Sequence, residues 1–244
     1  MPDTKPTSSV FDNEPELAQW RKSIDMIDRK LLALLQERAN ISQKIAKTKP
    51  RTSLSLRPDR ETKIIRDLLA QIEAPLDRYT VTAIWRQILA HSANLQAQID
   101  PFMVSRDPDM LYLTRSYFGA QATPKTLSHH DAILTLRDNP FAIGVFSLHA
   151  GHAWWHDLPD TARVCAALPW LQDTPAQALV VATLPQQFSS DIHILATTRA
   201  NVGDALVLQA CGDDVLVAAP GNLAHSGNVL GGIDVLEASL KRER

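Results

Sequence analysis

All nine glycines of this 244-residue chain lie at or after position 119, and the first hundred residues contain none. Glycine is costly inside helices and useful in turns and strand connections. The division therefore predicts an all-helical first part and an α/β second part. Pro101 and Pro108 bracket the change, and a linker is predicted over 101–109. The expected order is a disordered tail over 1–13, helical residues 14–100, the linker, and an α/β domain over 110–244.

The helical part carries a long apolar stripe. Leu17, Trp20, Ile24, Ile27, Leu31, Leu34, Leu35, Ile41 and Ile45 recur at helical spacing. This predicts one helix from about Glu16 to about Lys49, stopped by Pro50. Such a helix is roughly 50 Å long and needs partner helices or another subunit to bury its stripe. Two further helices are predicted, over about Asp59–Gln71 and Pro75–Gln98. Pro58 and Pro75 stand where proline favours a helix start.

The second part alternates short apolar runs with turn chemistry. Strands are predicted at Leu111–Leu113, Phe141–Phe146, Val164–Leu168, Ala178–Leu184, Ile192–Thr197, Ala205–Gln209 and Val215–Ala219. Gly212-Asp213-Asp214 reads as the hairpin turn between the last two, and His130–Asp138 reads as a helix. Phe102, Phe118, Phe141, Trp170 and Phe188 are expected in the core.

Charge and cysteines narrow the class. A net charge of −2 gives no global basic surface for nucleic acid or membranes. The apolar run Leu31–Leu35 is far below the roughly 20 residues needed to span a bilayer. Residues 1–13 lack the apolar segment of a secretory signal. Cys165 and Cys211 form no metal-binding or disulfide spacing. A cytoplasmic protein is expected. His149, His152 and His156 would share a face if helical and could then bind a metal. They flank Trp154-Trp155 in a glycine-bearing segment, where surface or packing histidines are the expected reading.

The basic residues of the long helix have a definite geometry. Arg38 and Lys49 are eleven residues apart, so they project within roughly 20° of each other and about 16 Å apart along the axis. Both can reach one small dianion between them. Arg21 precedes Arg38 by seventeen residues, rotated by about 100° and displaced by about 25 Å. No small ligand bridges those two on one straight helix, so any site using Arg21 is completed by a second subunit. Ser92 and Gln96, at i and i+4, share a face of the third helix. Arg60 and Glu61 sit in the first turn of the second, where the helix dipole favours glutamate and bound anions.

Read together, LAQWRKSIDMIDRKLLALLQERANISQKIAKTK, RPDRE and IWRQILAHSANLQ resemble the all-α chorismate mutases, which occur alone or fused to prephenate dehydratase or dehydrogenase domains. The family pattern is an arginine before IDxID-like text, an arginine seventeen residues on, a lysine eleven beyond, an RE pair, and S-x-x-x-Q. Every position is filled here. The resemblance implies a three-helix domain in an intertwined all-α dimer that converts chorismate to prephenate without cofactor or metal. It implies that Arg21 reaches across the dimer to one substrate carboxylate and Arg38 binds the other. Lys49 and Gln96 would hydrogen-bond the ether oxygen of the breaking C–O bond. Arg60, Glu61 and Ser92 would line the site, with Glu61 taking the substrate hydroxyl. One position departs from the pattern: three residues before the RE arginine the family often has aspartate, and here Arg57 stands among the substrate-binding positions.

YLTRSYFGAQA, FAIGVFSLHAGHAWWHDL, ARVCAALPWL, ALVVATLPQ and VLGGIDVL resemble, in layout, a prephenate dehydratase domain. That family's Thr-Arg-Phe motif is absent: Thr198-Arg199 is followed by Ala200. The expected role of this part is structural, or binding of an aromatic amino acid effector. The alternatives are an isochorismate pyruvate lyase, a bifunctional mutase/dehydratase, and a non-catalytic amino acid sensor.

Overall fold

The computed structural model describes residues 14–48, 54–171, 175–183, 191–221 and 227–234. The predicted tail at 1–13, Lys49 and Phe188 lie outside them. The first part is helical: α1 (Glu14–Thr48), α2 (Pro58–Leu69) and α3 (Arg78–Gln96). Glu14 and Glu16 in the first turn of α1 and Lys47 in its last match the helix dipole. Pro58 opens α2. The Asp77 carboxylate caps α3 by accepting from the backbone N–H groups of Tyr79 and Thr80.

Among the described residues the second part is a nine-stranded mixed sheet in the order β2-β1-β3-β5-β4-β9-β6-β8-β7. Its strands are β1 (Phe102–Val104), β2 (Lys125–Thr126), β3 (Ile143–Ser147), β4 (Ala162–Leu168), β5 (Ala178–Thr183), β6 (Ile192–Thr198), β7 (Leu206–Cys211), β8 (Asp214–Pro220) and β9 (Asn228–Ile233). Helices α4 (Pro108–Phe118) and α5 (His129–Asp138) complete it. The strand β1 runs parallel to both β2 and β3. The β7–β8 hairpin turns at Gly212, whose φ of 65° suits glycine. The α-then-α/β class expected from the glycine distribution is the one observed.

Three expectations are corrected. Leu111–Leu113 belongs to α4, not to a strand. Asp107 caps that helix, Pro108 opens it, and Met110, Leu113, Thr114, Tyr117 and Phe118 are buried at helical spacing. The segment 101–109 is no free linker, because β1 pairs on both sides and α4 begins at Pro108. Phe141 is exposed, whereas Phe102, Phe118 and Trp170 are buried.

The two parts share a core. On one face of the sheet, Leu56, Ile65 and Leu89 from the helical part pack with Met110, Leu113 and Tyr117 of α4 and with Ile143, Val145, Leu168 and Val180 of the strands. The other face packs Phe146, Val164, Leu179 and Val181 with Leu136 of α5 and with Trp154 and Trp155. Alternation along β5 sends Val180 to one face and Leu179 and Val181 to the other. A bulge in β4 between Val164 and Ala166 puts both Cys165 and Ala166 on the helical side.

Helix α1 contrasts with this. Of its described residues only Ser42 is buried. Trp20, Ile24, Ile27, Leu31, Leu34 and Leu35 of its apolar stripe are all exposed.

Candidate active site

A pocket of about 640 Å³ opens where α1, the start of α2 and the end of α3 converge. Its lining follows from helical periodicity. Helix α1 presents Leu34, Arg38, Ile41, Ser42 and Ile45; α3 presents Leu89, Ser92, Ala93 and Gln96; the start of α2 brings Arg57, Arg60, Glu61 and Ile64. Six of the eight residues singled out in the sequence thus line one cavity: Arg38, Arg57, Arg60, Glu61, Ser92 and Gln96. Arg21 is exposed on α1 and outside the pocket. Lys49 follows the last residue of α1 and lies outside the described residues.

Arg38 is half-buried and donates from Nη1 to the Ser92 hydroxyl and, at 3.4 Å, to the Ile88 carbonyl. Burial, and after it the neighbouring Arg60 guanidinium, lower its pKa from the usual arginine value. Two cations forced together at a partly desolvated wall are an environment that an anion relieves. Gln96 Nε2 donates to the Ser92 carbonyl at 3.3 Å. Arg57 turns toward its own helix start and pairs with Asp59 at 3.3 Å.

Glu61 is buried, and its Oε2 accepts from Arg86 Nη1 at 2.5 Å. Arg86 is a site feature that the sequence reading missed. It projects from α3 toward the sheet, and its bond to Glu61 cancels that carboxylate's charge. The Arg57–Asp59 pair is likewise neutral. Arg38 and Arg60 against Glu37 leave the lining cationic. Ser42, buried at the pocket wall, was also missed, although it lies four residues after Arg38 and so on the same face.

The histidines form no such constellation. Residues Trp154–Asp157 make a 3-10 turn, so the three histidines do not share an α-helical face. His152 packs edge-on against His129 with ring centroids 4.6 Å apart, and His156 lies 3.4 Å from Asp214. Among the described residues no group of three or more His, Cys, Asp or Glu is placed to hold a metal ion. Arg199 spends its side chain on the β7–β8 turn, where Nε donates to the Gly212 carbonyl at 2.9 Å. No described helix is long and apolar enough to cross a membrane.

Comparison with known proteins falls on the helical part. Residues 20–97 match the sequence model of the family described as chorismate mutase type II. A bifunctional chorismate mutase/prephenate dehydratase of Pseudomonas aeruginosa is 30% identical over 90 residues, covering 34% of this chain and 25% of that protein. The chain thus spans about a quarter of that relative's length. No solved structure matches the chain significantly. The matched residues begin one before Arg21 and end one after Gln96, and every residue that lines the pocket falls inside them.

Proposed function

We propose that this chain is a chorismate mutase, an isomerase that converts chorismate to prephenate in the synthesis of aromatic amino acids. The observation that carries this reading is the convergence of Arg38, Arg60, Ser92 and Gln96 on one cationic pocket inside the matched domain. The rearrangement is unimolecular and needs no nucleophile, proton shuttle or cofactor. The site has two tasks. It holds the dianion in its compact reactive conformer, and it meets the negative charge that grows on the ether oxygen with preorganised donors.

Arg38, anchored by Ser92, binds one carboxylate, and Arg60 adds positive charge at the α2 N-terminus. Gln96 and Lys49 donate to the ether oxygen, and Glu61 takes the substrate hydroxyl. Arg57 stands at the rim, paired with Asp59. The second carboxylate is met by Arg21 of a partner subunit in a homodimer. The exposed apolar stripe of α1 supports that dimer, as does the separation of about 25 Å between Arg21 and Arg38 along one helix. Residues 110–244 are a non-catalytic, dehydratase-like part open to an aromatic amino acid effector. The protein acts in the cytoplasm, without nucleic acid or membrane partners.

The test is to measure chorismate loss and prephenate formation by the full chain, with and without phenylalanine or tyrosine, and with isochorismate as a parallel substrate. Prephenate formed from chorismate supports the reading. Pyruvate released from isochorismate with chorismate untouched replaces it with a lyase. Inertness toward both leaves a sensor.

A further inference from the structure

Arg86 joins the pocket to the sheet. It is 4% exposed, and its guanidinium makes two hydrogen bonds and two ring contacts. Nη1 donates to Glu61 Oε2 at 2.5 Å, and Nε donates to the Tyr117 carbonyl at 2.8 Å. Cζ lies 4.3 Å from the centroid of the Tyr117 ring and 4.6 Å from that of Trp170. Those two rings meet edge to face at 5.7 Å. The Tyr117 carbonyl is in the last turn of α4, where helix geometry leaves carbonyls without intrahelical partners. A cation there also meets the negative end of the helix dipole.

The consequence concerns the origin of these contacts. Glu61 is on α2 and lines the pocket. Arg86 is on the sheet-facing side of α3. Tyr117 and Trp170 belong to the second part of the chain. A carboxylate buried in the helical part is therefore oriented by a guanidinium whose other hydrogen bond and both ring contacts, among the described residues, come from the α/β part. A planar fork bound at two edges and covered by two aromatic faces has little rotational freedom, and that rigidity passes to Glu61.

We propose that Arg86 is a positioning residue for the mutase site, acting through Glu61, and that Tyr117 and Trp170 make the α/β part a structural component of that site. This rests on the mutase reading above. It assigns the second part a task that requires no ligand and no chemistry of its own.

A double-mutant cycle on the full-length protein tests it, with kcat and KM for prephenate formation as readout and circular dichroism to verify folding. Arg86→Gln is expected to lower kcat/KM by about 100-fold, the scale of a small misplacement of a positioned group. Arg86→Lys, which keeps the charge but loses the fork, is expected to recover part of the loss. In a Glu61→Gln background the further effect of Arg86→Gln should shrink to less than about threefold, because its target is already gone. Trp170→Leu leaves both charges in place and serves as the second entry to the cycle should Arg86→Gln not fold. It is expected to cost about tenfold alone and little in the Glu61→Gln background. A folded Arg86→Gln or Trp170→Leu protein with wild-type kcat/KM overturns the proposal. So does a loss of equal size in both backgrounds, which is what a purely structural role produces. A wild-type chain that leaves chorismate unchanged overturns the mutase reading and this proposal with it, whereas an active wild type with additive losses overturns this proposal alone.

Discussion

Arg38 reaches from α1 across to α3 and donates to the hydroxyl of Ser92, which itself donates to the Ile88 carbonyl at 2.9 Å. The serine acts as a bracket that holds a mobile guanidinium at one wall of the pocket. Ser92→Ala removes the bracket and leaves the charge. A net hydrogen bond to a charged group contributes about 1.5 to 3 kcal/mol. We expect KM for chorismate to rise at least tenfold, with a smaller change in kcat. Steady-state kinetics across a range of chorismate concentrations check this, and an unchanged KM removes Ser92 from the binding machinery.

Gln96 and Lys49 are expected to act on the transition state, not on ground-state binding. Replacing either by alanine deletes one donor to the developing oxyanion, a loss of about 3 to 4 kcal/mol. The expected signature is kcat reduced by two to three orders of magnitude, with the melting temperature within about 2 °C of wild type. Retention of near-full kcat by Lys49→Ala would sink its assignment.

The proposed dimer makes a sharper prediction. Arg21→Ala and Arg38→Ala proteins should each be nearly inactive. Refolded together, they should regain activity, because a mixed dimer has one site with both arginines intact and one with neither. Mixing that restores nothing argues for sites built within one subunit. Independently, Leu31→Glu on the exposed stripe should lower the mass seen by sedimentation to that of a monomer and abolish turnover.

Stability should respond to pH through Asp234. It is half-buried at the end of β9, and burial is the largest influence raising its pKa. The backbone N–H of Asp191 opposes this, donating to its Oδ1 at 3.3 Å. A carboxyl whose pKa is higher in the folded than in the unfolded chain binds protons more readily when folded. Its ionisation therefore costs stability, starting as pH rises past the unfolded value of about 3.9 and levelling off above the folded one. Asp234→Asn should raise the melting temperature at pH 7. The gain should vanish below about pH 3.5, where the unfolded carboxyl is protonated as well. Thermal melts of both proteins at the two pH values distinguish this from a constant offset.

Helices α1 to α3 were legible in the sequence because each announces itself locally. The apolar period, Pro58 at a first turn and the stop before Pro50 need no distant partner. Spacing put Ser92 and Gln96 on one face of α3, and both line the pocket, whereas the gathering of Arg38, Arg57, Arg60 and Glu61 beside them was an expectation from the family resemblance and not from helix arithmetic. What escaped depends on contacts far along the chain. Phe102–Val104 is three residues long and becomes a strand only because β2 and β3 flank it. Leu111–Leu113 has strand composition, but a cap at Asp107 and Pro108 at the first turn make it helix. The strand β9 was not among the predicted strands, and it contains Gly231 and Gly232, a residue type depleted in strands. Gly231 has φ 152°, and an added Cβ there would collide with the Val164 backbone of β4, so the glycine is what lets β9 approach. Arg86 gave no signal in the helical pattern, because its partners Glu61, Tyr117 and Trp170 are brought to it only by the fold.

The shared core bears on how portable helices α1 to α3 are. A chain cut after residue 100 would place Leu56, Ile65 and Leu89 against water instead of against Met110, Tyr117 and the strands. Burying a side chain of that size is worth about 1.5 to 3 kcal/mol, so three of them approach the whole stability of a small domain. The helices of this protein are accordingly not a cassette that can be excised and grafted elsewhere. Transplanting them would require either carrying the sheet along or repainting their inner faces with polar residues.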